Sequence, residues 1–235
     1  MAEPAFWAVI PAAGSGRRMQ AGRPKQYLDL RGRPVIVHVL ERLASFPALR
    51  GIVVGLAADD RHWPSLDSLP AKLLATYAGG AQRTVTVLNG LQALAAYADP
   101  DDWVLVHDAV RPCLRPADIV KLVATVGGYP DGGLLGLAVT DTVKRADDAG
   151  RVIATVAREG LWRALTPQMF RLAALQQALE RVVRDNIAVT DEAAAIEYNG
   201  GRPCLVAGHA DNIKITYVSD LALAELYMQQ QERGA

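Results

Sequence analysis

Short apolar runs alternate along the chain with segments in which apolar residues recur every three or four positions. Four compact apolar runs have the pattern of buried strands: residues 6–10, 52–56, 103–106 and 133–139. Helical spacing characterises five other segments: residues 35–43, 84–97, 167–183, 191–198 and 219–231. Because strands alternate with helices, the pattern predicts an α/β fold with a Rossmann-like, mostly parallel sheet flanked by helices.

One segment breaks this alternation. From about residue 138 to residue 158, alternating residues flank the sequence Asp147-Asp148-Ala149-Gly150, which is typical of the turn in a β-hairpin. An isolated two-stranded hairpin is marginally stable in water, so this one needs a surface to pack on. No repeat or linker interrupts the chain. Residues 1–235 are therefore predicted to form a single domain with a protruding β-hairpin arm.

Composition narrows the class of protein. The 235 residues include 25 Lys and Arg and 25 Asp and Glu, a balance that argues against general binding to nucleic acids or membrane surfaces. Cys113 and Cys204 lie far apart without a metal-ligand spacing, and we expect them to be reduced, buried thiols. The N-terminal residues lack the pattern of a signal peptide, and no stretch could span a bilayer. These features predict a cytoplasmic protein.

A glycine-rich loop with many cations follows the first predicted strand. Gly14 and Gly16 lie at the carboxyl end of that strand, where glycines let backbone N–H groups approach phosphate oxygens. Met19 replaces the third glycine of a dinucleotide fingerprint, and the Gly-Lys pair of a Walker A loop is absent. The cations of this segment are Arg17, Arg18, Arg23 and Lys25. Their concentration favours a triphosphate with a leaving group to neutralise over a solvated basic turn.

Residues that follow the strand at 103–106 are a second candidate. Asp108 and Arg111 come directly after it, at the same ligand-binding edge of the sheet. A carboxylate that faces phosphates needs a cation between them, and Mg²⁺ prefers one or two carboxylates together with phosphate oxygens. Asp108 is therefore a candidate metal ligand. The alternative is a turn residue ahead of Pro112. His107 has no metal-ligand spacing with another histidine and is predicted to be structural.

Four weaker patterns have ordinary structural explanations. Gly79-Gly80, ahead of Arg83 and Thr86, would let a nucleobase edge meet backbone groups, but a glycine pair alone is a weak signal. Thr166 before Pro167 has the pattern of a helix N-cap, and Thr190 before Asp191-Glu192 has a similar one. Helix starts also bind phosphate. Lys214 lies in a β-like run, where the solvated face of a strand is the simpler explanation.

Taken in order along the chain, these segments carry a resemblance. The blocks are PAAGSGRRM with PKQY, GGAQR, VHDAVRP, DTVKR, LTPQ, VTDEA and DNIKIT. Together they resemble the 2-C-methyl-D-erythritol 4-phosphate cytidylyltransferases of the non-mevalonate isoprenoid pathway, over nearly the whole chain. The resemblance implies a nucleotidyltransferase-type fold and a homodimer that uses CTP and Mg²⁺. It also implies transfer of CMP to 2-C-methyl-D-erythritol 4-phosphate, with release of pyrophosphate.

The resemblance also implies roles for individual residues. The catalytic pair would be Arg18 and Lys25. The nucleotide would be bound by Pro11, Ala12, Ala13, Gly14, Gly16, Lys25, Gly80, Ala81, Thr86 and Lys214. The substrate would be bound by Asp108, Arg111, Thr166, Thr190 and Lys214, and by Thr142 and Arg158 of the partner subunit, with Asp108 also facing the metal. Two positions depart from the usual pattern: Ala81 replaces a common acidic residue, and Thr86 replaces a common serine but keeps its hydroxyl.

The implied chemistry explains the basic loop. A phosphomonoester is largely ionised near pH 7, because its second pKa is about 6, so it can attack the α-phosphorus without a general base. The barrier is electrostatic, and fixed cations with Mg²⁺ lower it. Three alternatives stay open: a nucleotidyltransferase for another NTP, a non-catalytic nucleotide-binding regulator, and a glycosyltransferase. The last usually carries Asp-x-Asp where this chain has His107-Asp108-Ala109.

Overall fold

The computed structural model describes residues 4–14 and 23–234. The strands in this part of the chain are β1 (Phe6–Pro11), β2 (Asp29–Leu30), β3 (Arg33–Pro34), β4 (Leu49–Leu56), β5 (Leu73–Ala78), β6 (Trp103–Val106), β7 (Gly133–Ala138), β8 (Val143–Ala146), β9 (Val152–Val156), β10 (Trp162–Arg171) and β11 (Cys204–Ala207). The α-helices are α1 (Val35–Ala44), α2 (Arg83–Leu94), α3 (Pro116–Val126), α4 (Leu172–Arg184), α5 (Glu192–Tyr198) and α6 (Ser219–Arg233).

Seven strands form one mixed sheet in the order β11-β7-β10-β6-β1-β4-β5. The central strand β1 is parallel to both of its neighbours, with Val9 opposite Val53 of β4 and Val106 of β6. β10 is antiparallel to β6 and to β7, whereas β11 is parallel to β7. The sheet is therefore mostly parallel, as predicted. The carboxyl ends of β1, β4, β5 and β6 share one edge.

Helices cover both faces of the sheet. Alternate residues of β1 point to opposite sides: Ala8 and Ile10 join a core cluster that includes α1 and α3, and Trp7 and Val9 join a cluster that includes α2, α4 and α5. Both clusters consist of apolar side chains that are nearly or fully excluded from solvent. Each fully buried aliphatic side chain contributes about 1.5–3 kcal/mol. A strand that is buried on both faces needs the continuous apolar runs seen in the sequence.

A third, smaller cluster attaches α6 and the loop before it. Its members include Val35, Val110, Cys113, Ile215 and Met228. The backbone N–H of Ile215 also donates to the Val110 carbonyl at 2.9 Å. The neighbouring Lys214 is therefore held close to the residues that follow β6.

The hairpin arm is a separate two-stranded sheet made of β8 and β9, inserted between β7 and β10. The predicted turn is confirmed, because Gly150 has a φ of +76° and the Asp147 carboxylate accepts the backbone N–H groups of Ala149 and Arg151. Val152 and Ile153 on β9 are 64% and 62% exposed. Two large apolar side chains of the arm thus face solvent in the single chain.

Most of the predicted elements are confirmed, and three details are wrong. The helix expected at 167–183 begins only with α4 at Leu172, because Thr166 and Pro167 lie within β10, at an irregularity between Ala164 and Gln168, which both pair with β7. Helix α5 is capped by Asp191, whose carboxylate accepts from Ala194 at 3.0 Å, and not by Thr190. Lys214 lies in a loop and not in a strand.

Both cysteines are free thiols. Cys113 is buried, and burial raises the pKa of its thiol to about 12. Cys204 is only partly buried, which corrects the expectation for that residue. Within residues 4–14 and 23–234, each helix is too short or too polar to cross a membrane.

Candidate active site

A cleft lies at the carboxyl edge of the parallel strands. We call it the first cleft. About 660 Å³ of space lies between its walls, part of it open to solvent. Its described lining residues are Pro11, Ala12, Ala13, Gly14, Lys25, Gln26, Gly80, Ala81, Gln82, Arg83, Thr86, Asp108, Ala109, Val110 and Lys214. Ten residues with predicted roles at the site thus meet in one place, although they come from five separate segments of the chain.

Lys25 is the first residue of a single 3₁₀ turn, Lys25–Tyr27, and the other two residues of the turn form hydrogen bonds to the rest of the fold. The buried Gln26 amide donates to the Ala12 carbonyl at 2.8 Å, and the Tyr27 hydroxyl donates to Asp60 at 2.6 Å. Burial and the Asp60 carboxylate both raise the pKa of Tyr27, so its phenol stays protonated. The turn therefore fixes the backbone of Lys25 against the end of β1.

The glycine pair after β5 packs closely against the end of β1. A Cβ on Gly79 would lie 2.3 Å from the Ala13 side chain, so only glycine fits here. The Thr86 hydroxyl accepts from the Gly80 N–H at 3.0 Å and donates to the Gln82 carbonyl at 3.1 Å. Thr86 thus closes the turn at the start of α2 and orders the backbone that lines the cleft.

Asp108 is the electrostatic centre of the cleft. Its Oδ1 lies 3.3 Å from Arg83 Nη2, and its Oδ2 lies 3.2 Å from Arg111 Nε and 3.0 Å from Lys214 Nζ. Burial alone would raise the pKa of Asp108. The positive charges of Arg83, Lys214 and Arg111 outweigh burial and hold that pKa well below its usual range. The carboxylate is therefore ionised, with three cations around it.

Polar contacts behind Asp108 fix its backbone. The Thr166 hydroxyl accepts the Asp108 N–H at 3.1 Å and contacts His107 Nδ1 at 2.9 Å. His107 is fully buried, and burial lowers the pKa of its imidazole to about 4. The Asn212 amide donates to the Thr166 carbonyl at 2.8 Å. His107 is thus structural, as predicted, and does not line the cleft.

A second cleft adjoins the first. Its described lining residues include Arg111, Leu137, Arg163, Leu165, Asn212 and Lys214. Arg111 also donates to the Asn212 carbonyl at 2.7 Å, which fixes its guanidinium at the wall of this cleft. Lys214 lines both clefts. The second cleft is therefore rich in cations and is joined to the first through the groups that surround Asp108.

Several predicted site residues lie elsewhere. Gly16 and Arg18 fall outside the described residues. Thr142 and Arg158 belong to the arm, where Arg158 donates to the Thr140 carbonyl, and both side chains are exposed. Thr190 is exposed and directly precedes the N-cap of α5. Neither cleft is lined by these three described residues.

Three residues that shape the site had no role predicted from the sequence. Gln26 supports the turn that carries Lys25. Arg83 contacts both Asp108 and Glu192, which is 109 positions away. The tight glycine pair just before Arg83 was the available signal for that residue. Nothing in the sequence around Glu192 indicates its partner.

Comparison with known proteins identifies the family to which the sequence is similar. The sequence model of 2-C-methyl-D-erythritol 4-phosphate cytidylyltransferase matches residues 6–230. An enzyme of that name from Pseudomonas putida is 52% identical over 93% of this chain and 93% of its own length. One from Hahella chejuensis is 47% identical over 98% of this chain and 95% of its own length.

Solved structures of enzymes with the same activity in their names are also similar to this chain. A crystal structure of a 4-diphosphocytidyl-2C-methyl-D-erythritol synthase is 34% identical with a TM-score of 0.84, covering 97% of this chain and 100% of that one. The Francisella tularensis 2-C-methyl-D-erythritol 4-phosphate cytidylyltransferase is 33% identical with a TM-score of 0.82, covering 95% and 99%. The chain therefore belongs to the 2-C-methyl-D-erythritol 4-phosphate cytidylyltransferase family.

Proposed function

We propose that this protein transfers CMP from CTP to the phosphate of 2-C-methyl-D-erythritol 4-phosphate. The products are 4-diphosphocytidyl-2-C-methyl-D-erythritol and pyrophosphate, in the synthesis of isoprenoid precursors. The observation that carries the proposal is the pair of adjoining, cation-rich clefts around Asp108, in a chain that belongs to this family. Two anionic substrates need two such sites side by side. We assign the reaction to the cytoplasm, in keeping with the two free cysteines.

CTP occupies the first cleft in this proposal. Its triphosphate lies along residues 11–14 and the Lys25 side chain, all of which line that cleft. The cytidine lies beside Gly80, Ala81 and Thr86. The Thr86 hydroxyl and the Gly80 N–H engage each other, which orders the turn, and the backbone at Ala81 contacts the base. An acidic side chain at position 81 is therefore not required.

The second cleft binds the phosphate of 2-C-methyl-D-erythritol 4-phosphate. Arg111 and Lys214 supply its positive charge, and Thr166 holds Asp108 between the two substrates. Thr190, at the start of α5, is assigned to the same substrate on the family resemblance alone, since it lines neither cleft. An ionised phosphate oxygen then attacks the α-phosphorus in line with the departing pyrophosphate. Because the attacking oxygen already carries negative charge, no residue has to remove a proton, and His107 stays a structural group.

Arg18 and Lys25 are the catalytic pair. Negative charge moves onto the pyrophosphate as its bond to the α-phosphorus breaks, so cations placed there stabilise the transition state more than the bound substrate. Lys25 lines the first cleft on a turn that Gln26 and Tyr27 hold in place. A backbone held in this way limits how far Lys25 can move during the reaction, and little reorganisation is what electrostatic catalysis requires.

Magnesium is the one cofactor in this proposal. The described residues contain no group of three His, Cys, Asp or Glu side chains that could hold a metal by themselves. Asp108 is the only carboxylate among the described lining residues of the first cleft, and three cations already face it. This donor set fits an ion that arrives with a triphosphate, because Mg²⁺ is commonly bound by one carboxylate together with phosphates and waters. When bound, it would neutralise charge on the triphosphate, with Asp108 as its protein ligand.

The enzyme acts as a homodimer in which Thr142 and Arg158 reach the site of the partner subunit. Support comes from the arm, whose Val152 and Ile153 are exposed in the single chain and need a surface to cover them.

Mixing inactive Lys25→Ala protein with inactive Arg158→Ala protein tests the shared site. After subunit exchange, one site of each mixed dimer has both lesions and the other has none. Activity should return to about half of wild type per mixed dimer; confirmed exchange without recovery would show that Arg158 serves its own subunit.

Pyrophosphate release tests the proposed reaction. The protein is incubated with CTP and Mg²⁺, with and without 2-C-methyl-D-erythritol 4-phosphate, and the nucleotide product is identified by mass. We expect release only with both substrates, and much less with UTP, ATP or GTP. Release with another NTP and another sugar phosphate would indicate a different nucleotidyltransferase. Nucleotide binding without any release would indicate a regulator.

A further inference from the structure

Glu192 is a buried carboxylate that reaches Arg83 from another helix. It is the first residue of α5, and its side chain is 1% exposed. Both of its oxygens accept from the Arg83 guanidinium, at 2.5 Å and 3.2 Å. This bidentate pair joins α5 to the start of α2, at the wall of the first cleft.

The same guanidinium also contacts Asp108. Arg83 Nη2, which donates to Glu192, lies 3.3 Å from Asp108 Oδ1. Burial alone would lower the pKa of Arg83, but the charges of Glu192 and Asp108 more than reverse this effect. Arg83 is therefore a cation shared between a buried carboxylate outside the cleft and the carboxylate at its centre.

The position of Glu192 is itself fixed. The buried Gln168 side chain accepts the Ala193 N–H at 2.8 Å and donates to the Asp191 carboxylate at 2.9 Å. Gln168 pairs with Val106 at the end of β6, two positions before Asp108. The start of α5 is thus attached to the strand that carries Asp108, and Arg83 is held between two fixed carboxylates. Burial raises the pKa of Glu192, and the charge and hydrogen bonds of Arg83 oppose that shift.

We propose that Glu192 is a positioning residue that controls Asp108 through Arg83. With Glu192 in place, Arg83 gives Asp108 one long contact, and Asp108 Oδ2 stays with Arg111 and Lys214 at the second cleft. Without the Glu192 charge, Arg83 pairs fully with Asp108 and draws it away from those two cations. The phosphate-binding groups of the second cleft then lose their arrangement. The identity of that phosphate as the second substrate rests on the proposed function.

Glu192→Gln tests this, because it keeps the shape of the side chain and removes the charge. We expect the KM for 2-C-methyl-D-erythritol 4-phosphate to rise about tenfold or more, the size of effect that loss of one charge-assisted contact produces. The Kd for CTP, measured by calorimetry without the second substrate, should change by less than about threefold, since a factor that small is under about 1 kcal/mol. A role limited to attaching α5 would instead lower kcat through loss of folded enzyme and leave both KM values unchanged.

The single variant Arg83→Ala and the double variant Arg83→Ala with Glu192→Gln test whether Glu192 acts through Arg83. If Glu192 acts through Arg83, adding Glu192→Gln to Arg83→Ala causes no further rise in KM. Effects that multiply would overturn the inference. The matched control is Asp102→Asn, which changes a buried carboxylate at the opposite end of β6 and should leave both KM values within about twofold, under about 0.5 kcal/mol.

Binding of inorganic phosphate separates this inference from the proposed function. Calorimetry should show weaker phosphate binding in Glu192→Gln than in wild type, whether or not the protein turns over the proposed substrates. Equal phosphate affinity in the two proteins would overturn the inference. Should Glu192→Gln not fold, the double variant Arg83→Met with Glu192→Leu replaces the buried ion pair by apolar groups, a change that buried pairs often tolerate. Because this variant also removes the guanidinium that would draw Asp108 away from Arg111 and Lys214, its phosphate affinity should stay within about twofold of wild type. Clearly weakened phosphate binding in it would overturn the inference.

Discussion

The two ends of strand β6 each carry a buried aspartate, and the two are used differently. Asp102, before the strand, accepts from three neutral donors: the Ala5 N–H at 2.7 Å, the Trp7 indole at 2.8 Å and the Asp99 N–H at 2.9 Å. Asp108, after the strand, faces three cations and accepts no neutral side-chain donor among the described residues. The same residue type, six positions apart, is a structural group at one end and an electrostatic centre at the other.

The difference follows from the direction of the chain. In a parallel sheet, the amino ends of the strands are closed by the connections that enter them, and their polar groups are satisfied locally. The carboxyl ends open into loops that are free to carry ligand-binding groups. Burial alone would raise the pKa of both aspartates. Hydrogen bonds from Trp7, Ala5 and Asp99 reverse this for Asp102, whereas cations reverse it for Asp108.

Substitution of Lys25 should have the largest effect at the carboxyl edge. We expect Lys25→Ala to lower kcat by about 10³-fold while the Tm stays close to wild type, because a fixed cation that faces developing charge acts mainly in the transition state. Arg18→Ala should behave in the same way. Steady-state kinetics and circular dichroism provide the measurements. Lys121→Ala, on the exposed face of α3, is the control; near wild-type turnover in a folded Lys25→Ala protein would reject the catalytic assignment.

Asp108→Asn should have the next largest effect. We expect a loss of about 10²-fold in kcat/KM, because the amide keeps the size of the side chain but leaves three cations without their shared anion. The Mg²⁺ concentration needed for half-maximal rate should rise as well. A magnesium titration measures this. If the metal dependence is unchanged, Asp108 is not a metal ligand, whatever happens to the rate.

Asp102→Asn makes the same change at the other end of the strand. We expect the free energy of unfolding to fall by about 2 kcal/mol, because an amide in place of one oxygen leaves a buried donor without an acceptor. The kcat of the folded fraction should match wild type. Urea unfolding with parallel kinetics measures both. A specific loss of catalysis in this variant would break the distinction between the two strand ends.

His107 should have the smallest effect on activity near pH 7, and its contribution is expected in the pH dependence of the free energy of unfolding. Its pKa is about 4 in the fold, below the ordinary value of 6.5, so the unfolded chain takes up the proton first as the pH falls. The contribution of neutral His107 is therefore complete above about pH 6.5 and is lost between pH 6.5 and 4, at up to about 1.4 kcal/mol per pH unit. Urea unfolding of wild type and His107→Asn should show a shallower slope in the variant. Equal slopes would mean that His107 is not held neutral.

Local patterns in the sequence were sufficient for the strands that are buried on both faces. The limits of β6 were predicted to the residue, and the glycine loop and Asp108 were placed together because carboxyl ends of parallel strands meet. The start of β10 was missed. Thr166-Pro167 has the local pattern of a helix start, but the residues on either side of it pair with β7 and β6, and this pairing outweighs the local preference.

The features of the site that the sequence did not predict depend on contacts between residues that are distant in the chain. The pair formed by Arg83 and Glu192 and the bond from Gln26 to Ala12 depend on which surfaces the fold brings together. One sequence cannot reveal such pairs, since the residues involved have many possible partners of similar chemistry. The position of Lys214 could not be predicted for the same reason. Its loop is fixed by the hydrogen bond from the Ile215 N–H to the Val110 carbonyl, and no local periodicity indicates this contact.

Lys214 stands at the wall between the two clefts, and this position has a thermodynamic consequence. A cation that serves both sites makes the occupancy of one depend on the occupancy of the other. Whatever factor a nucleotide in the first cleft applies to phosphate affinity in the second, the phosphate must apply to nucleotide affinity in return. In the proposed reaction the two clefts would form one linked binding system, in which Lys214 is a residue common to both sites.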